Sequence, residues 1–462
     1  MKKILAMILA AMMVFSLAAC KTTPPAESTK ATEKPTEPAP ETTKPVESKT
    51  EAPTPTEPIH ISFWDENAGA GRTEYYEELI KMFEAENPDI KIDYFGLVQE
   101  EALTKFMNAI ETGQTPDVAG IQTTMLSEII STGHLVDIEP YCQKWDEFQY
   151  ITKSALDLYR VFGNGKLCLL PRTNDCNILW VNKTYMDKYG VKNPEYWKDF
   201  FDALPLLNHP EEDIYAYTIR GGNKGASEVW CYMYDYIGSG ELLNEQGYST
   251  CNQPELVDFV DKYAKIYKNY TAESDITYGY KEMTLAFDNG SAAMFLHNLG
   301  SYPNHAETFP EHNMEFEACP MPRSDFNGKI IRFAALNGTA MFDTCPEEER
   351  EAAFKWLSYL SSHEGNSVLA KGFGGLPINS LVMEDDWVKE APHVQMSLKM
   401  TAQDYYVETM NLTYLPGWKN VSQTLADPEF AEVCMGSMTA QQFMDNLEER
   451  MNELIDEYNA SK

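Results

Sequence analysis

The sequence is short of positive charge: 37 Lys and Arg stand against 71 Asp and Glu in 462 residues, a formal net charge of −34. Nucleic-acid partners need Lys and Arg to neutralise phosphates, so this balance argues against them, and the acidity reads as solubility. The nine cysteines contain no CxxC pair. A thiolate metal cluster is therefore not expected, and each of Cys142, Cys168, Cys176, Cys231, Cys251, Cys319, Cys345 and Cys434 can be a small buried hydrophobe or half of a disulfide. The eight histidines lack ligand-like spacing, which lowers the case for a bound metal. There is no G-x-S-x-G elbow, no H-E-x-x-H helix, no P-loop and no G-x-G-x-x-G turn. No internal repeat of roughly 20–50 residues is present, and beyond the N-terminus no apolar run is long enough to cross a bilayer.

The N-terminus is different. Lys2 and Lys3 precede an apolar run from Ile4 to Leu17, and Ala18-Ala19-Cys20 follows. A positive start, a short apolar core and small residues before the cut describe a secretory signal over residues 1–19, too short for a membrane span. The cysteine after the small pair resembles a bacterial lipobox, which implies lipidation of the Cys20 thiol and cleavage before it. From Lys21 to about Pro58 the chain is Thr, Pro, Glu, Lys, Ala and Ser apart from Val46, without an aromatic residue. Such a composition cannot build a core, so residues 20–58 are expected to be a lipidated, extended tether.

From Ile59 the pattern is globular. Ile59 to Trp64 alternates as a strand, a helix from Thr73 carries Tyr76, Leu79, Ile80 and Phe83 on one face, and Ile90, Ile92 and Tyr94 alternate again. Strand, helix and strand with short connections form a βαβ unit with parallel strands. Val118–Ile121 reads as a third short strand, Leu167–Pro171 and Cys176–Asn182 as further ones, and Ala292–Leu296 as another. Helices are expected over Lys281–Phe287, over Glu347–Leu360, and from Thr439, where Gln442 completes a capping box. In open α/β sheets ligands sit beyond the carboxyl ends of the strands, which singles out Trp64-Asp65-Glu66-Asn67, the Gly96 turn and Gln122-Thr123. Aromatic residues make up 12% of the chain, with 26 Tyr and 8 Trp, enough for a large core or for a cleft that grips ring-shaped polar ligands.

Several ordered segments together carry a resemblance. They are Ile61-Ser62-Phe63-Trp64, the stretch Phe83 to Ile92 around Asn87-Pro88, Gly113 to Val118 and Gly133 to Ile138, then Phe287 to Met294, Cys319-Pro320-Met321-Pro322 and Gly374-Gly375-Leu376-Pro377. On these the chain from Ile59 onward resembles the extracellular solute-binding proteins of family 1, the sugar receptors of ABC importers. It departs from that pattern at Cys168, at Val181-Asn182 and at Tyr196-Trp197, positions to which the resemblance gives a packing role rather than a ligand contact.

The resemblance implies an α/β fold of two lobes, the type II periplasmic-binding or Venus-flytrap arrangement, with three crossings between them. By analogy the first lobe covers 59–174 plus 328–374 and the second 175–327 plus 375–462. It further implies a monomer without cofactor, held at the outer face of the cell membrane, that passes a sugar or oligosaccharide to permease subunits. A sugar needs flat rings for its C–H faces and planar polar groups for its hydroxyl rim. The expected contacts are Trp64, Asp65, Glu66 and Gln122 from the first lobe. From the second come Trp230, Tyr232, His297, Asn298, Tyr302 and Trp418, with Gly374 and Gly375 where backbone approaches closely. Trp230 and Trp418 stand about where the family keeps stacking rings. Two alternatives keep the fold: a non-sugar cargo such as a polyamine or peptide, or a sensory sugar-binding module. Catalysis is disfavoured, because Asp65 and Glu66 are neighbours on a strand and point to opposite faces, with no second carboxylate fixed at a working distance.

Overall fold

The computed structural model describes residues 57–69 and 72–460. The signal, Cys20 and nearly all of the tether expectation lie outside the described residues. The first strand, β1 (Ile59–Asp65), forms as the alternation predicts, with Ile61, Phe63 and Asp65 buried. Helix α1 (Arg72–Glu86) buries Tyr76, Leu79 and Phe83, and Asn87 closes it by donating its side-chain amide to the Phe83 carbonyl at 3.0 Å. β2 (Ile90–Gly96) then pairs parallel to β1 in register Ile59 to Ile90, completing the expected βαβ unit. Helix α2 (Gln99–Thr112) stops at Gly113, whose positive φ of 64° turns its N–H back onto the last carbonyls. β3 (Val118–Gln122) lies on the other side of β1, again parallel, and runs into α3 (Thr123–Ser131).

The remaining strands are β4 (Leu169–Asp175), β5 (Asn177–Asn182), β6 (Tyr215–Tyr217), β7 (Ala292–Asn298), β8 (Phe316–Cys319), β9 (Ile330–Phe333), β10 (Ala335–Met341) and β11 (Tyr406–Thr409). They complete two main sheets, one ordered β2-β1-β3-β10-β4 and the other β6-β7-β5-β8, with β9 and β11 paired as a separate ribbon. Each main sheet has its own apolar core. Around the first, the Trp356 ring meets Phe63 and Phe83 edge-on at 5.5 and 5.3 Å. The second gathers Trp180, Trp197, Trp230 and Trp418.

The chain passes from the first sheet to the second where β4 runs almost directly into β5, with Cys176 between them. It returns where β9 leads through Ala334 into β10. Leu376 pairs with Asn174 through two backbone hydrogen bonds of 2.9 and 3.1 Å, so the segment after helix His363–Phe373 is tied to the β4–β5 passage. Gly374 caps that helix with φ +67°, and a Cβ there would stand 2.8 Å from the Leu299 carbonyl.

Some boundaries differ from the sequence expectation. The strand expected over Leu167–Pro171 runs instead over Leu169–Asp175, because β10 supplies ladder partners to Thr173, Asn174 and Asp175 beyond an irregularity at Arg172. The helix expected from Glu347 starts at Arg350, after a turn in which the Glu349 N–H donates to the Pro346 carbonyl. The last helix, Ala440–Ala460, opens with the expected box: Gln442 N–H donates to Thr439 Oγ1 at 3.2 Å, and Thr439 N–H to Gln442 Oε1 at 3.1 Å. All eight cysteines after Cys20 are free thiols, six of them buried, which answers the open choice in favour of small core residues.

Candidate functional site

A cleft of about 1370 Å³ runs between the two sheets. One wall is built by the residues after β1 (Asn67 to Gly69), by Arg72 and Tyr75 of α1, by the start of α2 and by Gln122 beyond β3. These are the carboxyl ends of parallel strands and the helix starts that follow them, where ligands sit in open α/β sheets. The other wall comes from the loop before helix Gly225–Ile237, from the start of helix Tyr280–Asp288 and from the end of β7. Asp175 and Arg332 sit at its floor, on the strands that connect the sheets.

The floor is polar and incompletely satisfied. Arg332 donates to Asn174 Oδ1 at 2.7 Å and lies 3.1 Å from Glu408, yet its Nε has no partner among the described residues. Asp175 Oδ1 likewise has none. Burial pushes the Asp175 carboxyl up to about 6, although the Arg332 and Arg72 guanidiniums pull it down. It is ionised at neutral pH and can accept hydroxyl protons. Aromatic surface stands nearby: the Tyr280 ring stacks on the His297 imidazole at 4.7 Å, and Phe295 stacks on the same imidazole at 5.2 Å. Burial, with Arg220 and His305 adding to it, holds His297 well below the usual histidine range, so it is a neutral ring at physiological pH.

Of the residues expected from the sequence, Gln122, Tyr232, His297, Asn298 and Gly375 line the cleft. Gln122 accepts a hydrogen bond from the Gln99 side chain at 2.9 Å. Tyr232 is nearly fully buried, and its hydroxyl donates to the Leu296 carbonyl at 3.3 Å. Asn298 caps the turn that follows it by accepting from the Gly300 N–H at 3.0 Å.

The others stand elsewhere in this structure. Trp64 packs between Phe95 and Phe106, each 5.7 Å away. Asp65 accepts from the Tyr94 hydroxyl at 3.1 Å and lies 4.0 Å from Arg72; burial beside Glu66 raises its carboxyl to about 6. Glu66 is paired at 2.8 Å with Arg172 in the interior of the first lobe, where burial alone would raise its carboxyl but the two guanidiniums outweigh it and hold it low. Trp230 and Trp418 meet edge to face at 5.3 Å inside the second core, with the Trp230 indole N–H donating to Asn411 Oδ1 at 3.2 Å. Tyr302 stacks on His393 at 3.6 Å, and Gly374 is the helix cap described above.

The sequence reading missed Arg72, Tyr75, Asp175, Tyr280 and Arg332. Asp175 carries the clearest overlooked signal, a carboxylate directly before the apolar run of β5 where the chain changes sheet. Among the described residues, the group of His and carboxylates close enough to share a cation is His209, Glu211 and Glu212, outside the cleft lining. There Lys188 already pairs with Glu212 at 2.5 Å.

Two α/β lobes around a polar, aromatic cleft define a receptor that encloses a small solute. The family model for bacterial extracellular solute-binding proteins matches residues 78–396, and the chain belongs to that family. A relative, the sn-glycerol-3-phosphate-binding periplasmic protein UgpB of Escherichia coli O1:K1, is 25% identical over 436 residues, covering 87% of this chain and 93% of its own. Among solved structures, an ABC substrate-binding protein of Listeria monocytogenes in complex with cycloalternan superposes with TM-score 0.73 at 20% identity, covering 87% of this chain and all of that one. Maltose-bound MalE3 of T. maritima gives 0.72 at 19% identity, with 86% and 100% covered. The fold is that of the two-lobed sugar-binding proteins.

Proposed function

We propose that this protein is the extracellular, lipid-anchored receptor of an ABC importer, which captures a sugar or oligosaccharide in the cleft and delivers it unaltered to the permease. The observation that carries the reading is the cleft floor. Asp175 and Arg332 hold buried polar atoms without described partners, beside stacked Tyr280 and His297. Unpaired buried polar atoms are costly, and ligand hydroxyls satisfy them on closure. The lobes are read as 59–174 plus 335–374 and 175–334 plus 375–462, hinged on three crossing segments; the expected boundary at 328 moves to Ala334, since Ile330, Ile331 and Phe333 pack in the second core. The family and the solved neighbours are substrate-binding proteins, in keeping with capture and not turnover.

Isothermal titration with neutral oligosaccharides tests this. Asp175→Ala should weaken the bound saccharide at least tenfold, on the order of 1.4 kcal/mol or more, while the far-ultraviolet circular dichroism stays unchanged. Equal affinity would remove Asp175 from the site. Anchoring is tested separately: Cys20→Ser should move the protein from the membrane fraction to the medium, and continued retention in washed membranes would contradict the lipid anchor.

A further inference from the structure

The loop Ile219–Lys224, between β6 and helix Gly225–Ile237, is held rigidly against residues 275–278. The Gly221 N–H donates to the Asp275 carbonyl at 3.1 Å and the Gly222 N–H to the Tyr278 carbonyl at 3.0 Å. A Cβ at Gly221 or Gly222 would stand 2.4 Å from Ile276 Cα or 2.7 Å from the Thr277 carbonyl oxygen, so only glycines allow this approach. The loop ends in Lys224 with φ +70°, a left-handed conformation that a non-glycine residue adopts at a cost.

What that conformation achieves is visible in the partners. The Lys224 and Ala226 N–H groups donate to the Asp427 carboxylate at 2.7 and 3.0 Å, so the positive end of the helix is already answered from within the protein. The Lys224 ammonium is not: it lines the cleft, and no described carboxylate lies within ion-pairing distance. Beside it, Arg220 is 9% exposed and paired with Glu228, while its Nε lacks a partner among the described residues. Glu228 is thus the one carboxylate ion-paired to these two cations among the described residues, while Asp427, also near Arg220, is engaged by the Lys224 and Ala226 N–H groups.

The geometry points to an anion-accepting corner in the cleft, where Lys224 and Arg220 hold a phosphate or carboxylate group carried by the ligand. This rests on the carbohydrate reading above and narrows it to polyhydroxylated ligands bearing negative charge. The electrostatics agree. Burial, then Arg220 and Lys419, bring the Lys224 ammonium down to about 8, while Glu228 on the same helix and Glu100 on the facing wall act in the opposite sense. A bound anion would compensate this half-buried positive charge.

The test is calorimetric titration of the full chain with neutral malto-oligosaccharides and with the same saccharides carrying a terminal phosphate or a uronate. The charged ligands should bind at least tenfold tighter, with affinity falling as salt is raised and as pH climbs through about 8 and the ammonium loses its proton. Lys224→Met should erase that preference, read as the ratio of charged to neutral affinity, Lys224→Arg should keep it, and Lys224→Met should melt no lower than the parent at pH 7. A phosphate preference without a uronate preference assigns the corner to phosphate esters. Neutral saccharides bound as tightly as charged ones, or a preference that survives Lys224→Met, overturns the anion corner alone. Failure of every saccharide, charged or neutral, overturns the carbohydrate reading and this inference with it.

Discussion

Glu66 and Arg172 meet at 2.8 Å with 1% and 2% of their side chains exposed, which makes them the most deeply buried ion pair described. Gly120 exists for this pair, since a Cβ there would fall 1.8 Å from Glu66 Oε2. Tyr76 also contacts the Arg172 guanidinium, and Asn366 donates to the Arg172 carbonyl at 2.5 Å. Breaking a buried pair by removing one charge strands the other, so Glu66→Gln should cost about 3–5 kcal/mol, read as a lower urea midpoint at unchanged slope. A change under about 1 kcal/mol would mean the pair is hydrated like a surface one. Residue types were legible in the sequence, but their depth was not. Trp64, Trp230 and Trp418 sit at spacings that suit either a cleft or a core, and the structure places each against other aromatic rings. Asp175 was passed over because a single carboxylate before an apolar run looks like a turn residue until β10 is seen to extend β4 that far.

At the level of elements, local signals served well where two levels agreed. β1, α1 and β2 formed as read because alternation, helical periodicity and the Asn87-Pro88 stop all point one way. The C-terminal helix opens at the expected box, and Thr439→Ala should therefore lower stability by about 1 kcal/mol; a Tm equal to the parent's would show that the box contributes nothing. The loop Ile219–Lys224 was illegible, since its Gly-Gly pair only gains meaning from residues 275–278, distant in sequence. The end of β4 escaped for the same reason, as ladder partners override a polar stretch that alone reads as loop.

For the molecule as a whole, no described helix is long and apolar enough to cross a membrane, and the chain carries a formal net charge of −34. The floor carboxylate gives the cleft a pH dependence. Because burial raises Asp175 to about 6, it is the charged acceptor above that pH, and saccharide affinity should weaken as pH falls from about 7.5 through 6 towards 5. Asp175→Asn should flatten that step, and a step that persists in the variant would assign it to another group. The fold class was readable because ordered family segments run along most of the chain. The exact contacts were not, because a cleft between lobes assembles residues from opposite ends of the sequence, such as Arg72, Asp175 and Arg332.

The central claim is that this cleft captures a saccharide without altering it. The direct measurement is titration calorimetry of the purified chain with an oligosaccharide panel, followed by recovery and mass analysis of the bound ligand. Saturable heat with one ligand per chain, and that ligand recovered intact, is the predicted result. A chain that shows no heat with any saccharide, or that returns a cleaved one, would contradict the account.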